Sequence, residues 1–439
     1  MTDQNQSALR VLPPRMVPME TRDGVRLHAD VHYPDAPGPF PVLLMRTRRG
    51  RRLAASPVQA HPSWYASQGY IVAVQDVRGT GTSEGGFDPL ANEAADGADA
   101  VAWAAALPSG TGAVGMFGVS YQATAQLLAL AGGAPALKAA CPAMARRVDW
   151  SAIEPSVPML HVGGWFDPTL DDVLACWKDL SARAGAPQHL VVGPWTRRSW
   201  GRRLGETDFG PEAPSGIDLL QVAWFDQFLK GTDSGVLERP AVELFDLGTR
   251  LWRGYESWPG TEPTVLHLAS TGLAAAAPDD GLLTTEPPDW SVDTIVCDPA
   301  HPAAGRIDRW TERAEADGRS DVACYTSAPA PGPVQLSGDV ALELHLRADR
   351  PDAEVEAVLS QIWPDGKTFV VAGCRARIGP DGNAAPLHLS LGAACAMVMP
   401  GNVLRLSVTA AHAGDEAGPV TLSVLGGRET PSRLLLPLV

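Results

Sequence analysis

The 439-residue sequence lacks the features that direct a protein into or across a membrane. No apolar run is long enough to span a bilayer, and the first ten residues, MTDQNQSALR, lack the apolar core of a secretory signal. The six cysteines are scattered, and no two stand at the spacing of a metal site. We therefore expect a cytoplasmic protein with free thiols, no metal and no membrane contact.

An excess of positive charge is also missing. The formal net charge is −15 and the isoelectric point is about 5.1, so neither nucleic acid nor an acidic membrane surface would attract the chain as a whole. Hydrophobic residues make up 45% of the sequence and charged residues 19%, which is typical of a folded globular protein. The expected partner is a small molecule.

Short apolar runs alternate with helix-like segments between residues 20 and 235. The runs are too short for helices and apolar throughout, which is typical of parallel strands that are covered on both faces. Two Ala-rich segments between them predict helices, the second ending at a pair of glycines. The first half is therefore predicted to be α/β. The predicted strands are 40–46, 70–76, 113–118, 157–164 and 189–193, and the predicted helices are 92–107 and 121–133.

After about residue 260 the hydrophobic pattern has a period of two. Turn residues recur and no long amphipathic helix is visible, which predicts an all-β sandwich. A stretch rich in Trp, Pro and Gly, RGYESWPGTEP, marks the boundary. The predicted domains are therefore 1–258 and 259–439.

The segment GMFGVSYQATAQ, residues 115–126, has the pattern of a nucleophile elbow. A buried strand ends, a Gly-x-Ser turn follows, and a helix begins at once, so that Ser120 would stand exposed on a tight turn. The backbone N–H of Tyr121 would face a developing oxyanion at the helix start. On the tripeptide alone, a serine that merely caps the helix is an equal alternative.

Several motifs in order resemble the cocaine esterase, X-prolyl dipeptidyl aminopeptidase and α-amino-acid ester hydrolase family. The resemblance implies an α/β-hydrolase domain with a helical cap, followed by a jelly-roll domain. It also implies that Ser120 is the nucleophile and Asp167 the triad acid; the alternative for Asp167 is a helix cap before Pro168. The motifs are VRLHADVHYPD, VLLMRTRRG, ASQGYIVAVQDVRGTGTSEGGFDPL, GAVGMFGVSYQA, GGWFDP, VVGPW and WFDQFLKG.

The sequence departs from this family pattern at three places. Family members read Gly-Pro-Trp-x-His where this chain has Arg197, and a guanidinium stays protonated and cannot accept the serine proton. The family's oxyanion-donating tyrosine is replaced by Arg49, with Arg48 before it; a guanidinium could still donate to an oxyanion. The segment 121–166 is also too short for a helical cap of domain size, so the cap is predicted to be largely missing.

Arginines dominate the two segments that carry these substitutions, RTRRGRR (46–52) and RRSWGRR (197–203). Both loops are predicted to leave the same edge of the sheet, which would concentrate positive charge around Ser120 and bind an anionic substrate through Arg48, Arg197 and Arg198. Solvated surface arginines, some of them ion-paired, are the alternative. A loop histidine, His61, is the candidate for a substitute base.

Three functions remain open from the sequence. The first is a serine hydrolase or acyl transferase for an ester or amide of a small, anionic substrate. The second is a non-hydrolytic enzyme that uses the arginines for elimination, cyclisation or decarboxylation. The third is a non-catalytic binding protein on a hydrolase scaffold. None of these requires a cofactor.

Overall fold

Two compact units divide the chain. Unit 1 comprises Met1–Phe245 and Trp252–Glu256, and unit 2 comprises Asp246–Leu251 and Ser257–Val439. Within the described part of the chain, no helix is both long enough and apolar enough to cross a membrane. The computed structural model describes residues 8–53, 58–88, 90–183, 185–260, 262–277, 279–298, 301, 307–350, 353–379, 386–411 and 418–439.

Unit 1 is built on a ten-stranded sheet with the order β1-β2-β4-β3-β5-β6-β7-β8-β11-β12. Within this order, the run β4-β3-β5-β6-β7-β8-β11 consists of strands parallel to one another, so their carboxyl ends meet at one edge, here called the carboxyl edge. The strands are β1 (Arg15–Glu20), β2 (Arg26–His32), β3 (Phe40–Thr47), β4 (Ile71–Asp76), β5 (Gly110–Val119), β6 (Leu137–Ala143), β7 (Met159–Gly164), β8 (Gln188–Gly193), the short pair β9 (Arg203–Leu204) and β10 (Thr207–Asp208), β11 (Val242–Asp246) and β12 (Leu251–Tyr255).

Helices cover both faces of this sheet. In β3, Leu43 joins the hydrophobic cluster on one face and Leu44 the cluster on the other, and both side chains are fully buried. This two-sided burial explains why the central strands are apolar throughout. The helices are α1 (Pro62–Ser67), α2 (Glu93–Ala105), α3 (Tyr121–Ala131), α4 (Leu170–Ala182) and α5 (Ile217–Phe225), which continues as a π-helical turn over Asp226–Lys230.

Unit 2 is formed almost entirely of β-strands, as the period-two pattern predicts. Most of its core is one large cluster of alternating inward side chains, such as Leu342, Leu344 and Leu346 of one long strand. The elements are β13 (Thr264–Ala269), β14 (Leu282–Thr284), β15 (Trp290–Cys297), α6 (Ala314–Asp317), β16 (Ala323–Thr326), β17 (Val334–Ala348), β18 (Glu354–Ile362), β19 (Thr368–Arg377), β20 (Leu387–Val398), β21 (Val403–Ala411), β22 (Val420–Gly427) and β23 (Arg433–Leu436).

Candidate active site

Ser120 lies on a strained turn between β5 and α3, at the carboxyl edge. Its backbone has φ 60° and ψ −115°, a conformation that residues other than glycine rarely adopt. The Ser120 N–H donates to the carbonyl of Ala143 at the end of β6, at 2.9 Å, which fixes the turn against the next strand. The serine is therefore held in the geometry of a nucleophile elbow, in agreement with the sequence pattern.

Gly118 and Gln122 flank the elbow, and their contacts explain how a glutamine fits at position 122, where a nucleophile elbow usually has glycine. Gly118 has φ 141°, and a Cβ at this position would come within 2.4 Å of the Gln122 Cβ. The Gln122 Oε1 accepts a hydrogen bond from the Val119 N–H at 3.0 Å. Gln122 thus occupies space that only a glycine at 118 leaves open, and its amide braces the strand-to-helix turn.

Tyr121 begins α3, and as the first helical residue its N–H has no acceptor within the helix. This donor is available to an oxyanion formed at Ser120. The Tyr121 ring lies 6.2 Å from the ring of Phe87, and the Arg48 guanidinium lies 5.2 Å above the ring centre. Burial raises the pKa of the Tyr121 hydroxyl, and nearby Glu93 raises it further, so this hydroxyl stays protonated and is no base at neutral pH.

Asp167 and Arg197 form a two-pronged ion pair beside the elbow. The Arg197 Nε donates to Oδ2 of Asp167 at 3.0 Å and Nη2 donates to Oδ1 at 3.1 Å, while the Arg197 backbone N–H donates to Oδ2 at 2.9 Å. Thr169 donates to Oδ1 through its hydroxyl and its N–H. The Asp167 side chain is 1% exposed and that of Arg197 26%.

These contacts decide the charge of the pair. Burial works to raise the pKa of Asp167, but the hydrogen bonds from Arg197 and Thr169 outweigh it and hold the pKa below its usual value. The carboxylate that would orient a catalytic imidazole is thus ionised and bound to a guanidinium. Because that guanidinium can only donate, the pair does not supply the proton acceptor of a Ser-His-Asp triad.

A cavity of about 330 Å³ opens in front of Ser120. Five of its lining residues are arginines, and none is a carboxylate or a histidine. Within the described residues, Arg48, Arg49, Arg146 and Arg198 have no acidic partner at ion-pair distance. The lining residues are Thr47, Arg48, Arg49, Leu53, Val58, Val119, Ser120, Tyr121, Gln122, Arg146, Arg197 and Arg198.

Comparison with known proteins identifies the family. The profile of the X-Pro dipeptidyl-peptidases of the S15 family matches residues 23–154, and that of the X-Pro dipeptidyl-peptidase C-terminal non-catalytic domain matches residues 234–414. The cocaine esterase of Rhodococcus sp. (strain MB1 Bresler) is 27% identical over 468 residues, which cover 81% of this chain and 81% of the esterase. The chain belongs to the X-Pro dipeptidyl-peptidase and cocaine esterase family.

Solved structures share the fold of this family. An α-amino acid ester hydrolase has a TM-score of 0.78 at 19% identity and covers 99% of this chain and 97% of its own. An aminopeptidase from a marine sediment Thaumarchaeota archaeon has a TM-score of 0.76 at 20% identity and covers 96% of both chains. The predicted α/β-hydrolase unit followed by a β-sandwich is thereby confirmed. By family, the chain is a hydrolase of the serine esterase and peptidase type.

Not every arginine of the two arginine-rich segments reaches the cavity of this family member. Arg46 is fully buried and pairs with Glu93, and Arg51 pairs with Asp30 and Asp76. The prediction that whole segments concentrate charge around Ser120 is therefore wrong for these residues. In the second segment, Arg202 and Arg203 pair with Asp208. The predicted residues Arg48, Arg49, Arg197 and Arg198 do line the cavity.

His61 is not a lining residue of this cavity, and its predicted position at the carboxyl edge is wrong. Its ring is 5.6 Å from that of His32, and His32 pairs with Val72 at the amino end of β4. The His61 Nδ1 lies 2.7 Å from the hydroxyl of Ser63, as part of the cap of α1. Because β2 runs antiparallel to β4, β2 ends with His32 at the amino end of β4. His61, which contacts His32, therefore stands at the opposite edge of the sheet from Ser120.

The strand β6 and the cavity position of Arg146 go beyond the sequence prediction. The apolar pattern does not predict β6, and therefore does not place Arg146, in the loop that follows it, at the cavity.

The structure also agrees with the predicted loss of the helical cap. Between Ser120 and Asp167 the chain forms α3, β6, an irregular stretch over 144–158 and β7. No helix lies in that irregular stretch, all of which is described, so the cavity mouth is not covered by a cap inserted there.

Proposed function

We propose that this protein is a serine hydrolase or acyl transferase for esters or amides of small anionic substrates, with a changed triad. The observation that carries the proposal is the combination of a nucleophile elbow and five arginines without any carboxylate in one cavity. The elbow supports acyl chemistry at Ser120, and the arginines support a substrate that carries a negative charge.

The charge preference follows from the local excess of unpaired cations. The chain carries a net charge of −15, yet four of the cavity arginines have no acidic partner in the described structure. A cleft that is lined by one sign of charge raises the local concentration of the opposite ion. A guanidinium binds a carboxylate or phosphate through two parallel hydrogen bonds, which also orients the substrate.

The proposed reaction begins with attack of the Ser120 Oγ on the substrate carbonyl. The N–H of Tyr121 and the guanidinium of Arg49 donate to the oxyanion as it forms. A bond forms between Oγ and the acyl carbon, the bond to the leaving alcohol or amine breaks, and water or a second acceptor then takes the acyl group. The serine proton passes to water in the open cavity, because Arg197 cannot accept it, and this water returns a proton to the leaving oxygen or nitrogen. Asp167 fixes Arg197, whose Nη1 has no protein partner within the described structure and is free for the substrate.

The missing base favours a second candidate, an anion-binding protein without turnover. None of the lining residues is a proton acceptor at neutral pH. Where a Ser-His-Asp triad is disabled, binding and the oxyanion hole still leave a rate of about 10³- to 10⁴-fold over water. Slow turnover is therefore the expectation for the first candidate, and binding alone for the second.

The test combines labelling of the serine with a matched pair of esters. A fluorophosphonate should add to Ser120, as detected by mass, and the p-nitrophenyl monoester of glutaric acid should turn over about tenfold faster in kcat/KM than p-nitrophenyl valerate. Ser120→Ala should abolish both signals. Ser109→Ala is the control, because Ser109 also has a positive φ but precedes β5 at its other end.

Each outcome separates the candidates. Equal rates for the two esters would refute the anionic substrate. Unlabelled protein, together with turnover that survives Ser120→Ala, would refute the nucleophile. Absence of any turnover with intact anion binding would establish the second candidate.

A further inference from the structure

We infer that the natural ligand of this cavity carries two anionic groups, one on each side of the bond that reacts at Ser120. The inference rests on the proposed anionic substrate and deepens it to a substrate class: an ester or amide whose acyl part and leaving group each carry a carboxylate or a phosphate.

The first step is the number of uncompensated charges. Arg197 is neutralised by Asp167, so its charge needs no ligand. The other four cavity arginines are exposed and lack acidic partners in the described structure. One carboxylate can satisfy one guanidinium fork and would leave like charges facing one another in the same small cavity. A ligand with two anionic groups matches this charge far better.

The second step is the placement of these arginines along the sheet. Arg48 and Arg49 follow β3, Ser120 follows β5, Arg146 follows β6 and Arg198 follows β8. The sheet order places β5 between β3 and β6, so the cations flank the nucleophile on both sides. Neighbouring strands are about 4.8 Å apart, and β3 and β8 are four spacings from each other. Two separated anionic groups would allow the arginines on each side of Ser120 to bind one group each.

The third step is the contrast between two consecutive arginines in the loop after β6. Arg146 lines the cavity, and its backbone N–H donates to the Thr124 hydroxyl of α3 at 3.2 Å, which ties this part of the loop to the elbow helix. Arg147 instead lies 5.2 Å above the ring of Trp150 and lines a different surface depression. The pair therefore offers a test variant and a matched control one residue apart.

The experiment measures binding by calorimetry to the Ser120→Ala protein, in which no turnover interferes. Glutarate should bind about tenfold or more tightly than valerate, which has the same chain length and one carboxylate, and also more tightly than inorganic phosphate. Arg146→Gln and Arg49→Gln, one on each side of Ser120, should each reduce the affinity for glutarate to that for valerate. Arg147→Gln should leave it unchanged.

Three results would overturn the inference. Affinities for glutarate and valerate within about twofold of each other would remove the need for a second anionic group. Phosphate binding as tightly as glutarate would indicate a single compact anion. If Arg146→Gln bound glutarate as tightly as Arg147→Gln does, an anionic group on the Arg146 side of Ser120 would be excluded. None of these results depends on catalysis, so the proposed function is tested separately by labelling and turnover.

Discussion

The two arginine-rich segments look alike in sequence, but each divides into arginines with opposite surroundings. In the first, Arg46 is enclosed in the fold and paired with Glu93, while Arg48, two residues later, faces the cavity without an acidic partner in the described structure. In the second, Arg198 faces the cavity and Arg202 pairs with Asp208. The density of arginines in a segment therefore does not show which of them can bind a ligand. What shows it is whether the arginine lines the cavity and keeps guanidinium N–H groups that no acidic partner occupies.

The physical basis is the difference between a buried and an exposed charge. A guanidinium removed from water needs a carboxylate to offset its lost hydration, whereas an exposed one does not. The paired arginines are consequently part of the stability of unit 1, and the unpaired ones are free to serve a substrate. Three variants probe this division, in order of decreasing expected effect.

The largest effect is expected from Arg46→Gln. The Arg46 side chain is fully buried and that of Glu93 is 3% exposed, so the variant leaves an uncompensated carboxylate inside the protein. We expect a loss of about 3–5 kcal/mol in the free energy of unfolding, measured by urea denaturation. Arg48→Gln, in the same segment, should change it by less than about 0.5 kcal/mol. Equal losses would contradict the division into structural and ligand-binding arginines.

A smaller but positive effect is expected from Arg197→His. An imidazole at this position could donate to Asp167 and accept the proton of Ser120, which restores the triad. We expect the rate of hydrolysis of p-nitrophenyl acetate to rise about 100-fold. The rate should increase with pH through about 6.5, because only the neutral imidazole is a base.

The control for this gain is the double variant Arg197→His with Asp167→Asn. Without the carboxylate, the imidazole loses its orientation and most of the gain should disappear. If Arg197→His had only the activity of the parent, the loss of the triad could not be explained by residue 197 alone, and other parts of the site would also have diverged from the family.

The smallest effect concerns the acid stability of the Asp167–Arg197 pair. Because the pKa of Asp167 in the folded protein is below its usual value, the pair stabilises the fold above about pH 4. This contribution is lost as the pH falls from there through the lowered pKa. In thermal unfolding between pH 7 and pH 3, the stability difference between the parent and Asp167→Asn should shrink by about 1 kcal/mol. A pH-independent difference would contradict a charged pair.

Much of unit 1 could be predicted from the sequence because its signals are local. Each of the strands β3, β4 and β5 is a short apolar run, and the Gly-x-Ser turn marks the elbow within a few residues. Ser120 and Asp167 both follow such strands, so their placement at one edge required only the parallel order of the sheet. The replacement of the base by Arg197 was equally visible, since it depends on one position of one motif.

The missed features depend on contacts between distant parts of the chain. Lys138 and Pro142 interrupt the apolar character of β6, and proline is uncommon in a central strand, so the strand and the cavity position of Arg146 were not apparent. The misplacement of His61 has a similar cause: only the antiparallel pairing of β2 with β4 reveals that it lies at the amino edge. Acidic partners such as Glu93 stand tens of residues from their arginines, which no local pattern shows.

The backbone of Ser120 has a consequence for protein engineering. Glycine enters the positive-φ region freely, whereas serine there carries strain of about 1–3 kcal/mol. Glycine at position 120 would relieve strain and remove the hydroxyl in one step, while the arginines on the surrounding loops stay in place. The Ser120→Gly protein would then be a more stable, catalytically inactive receptor for anions, and its cavity is already formed by the hydrolase fold.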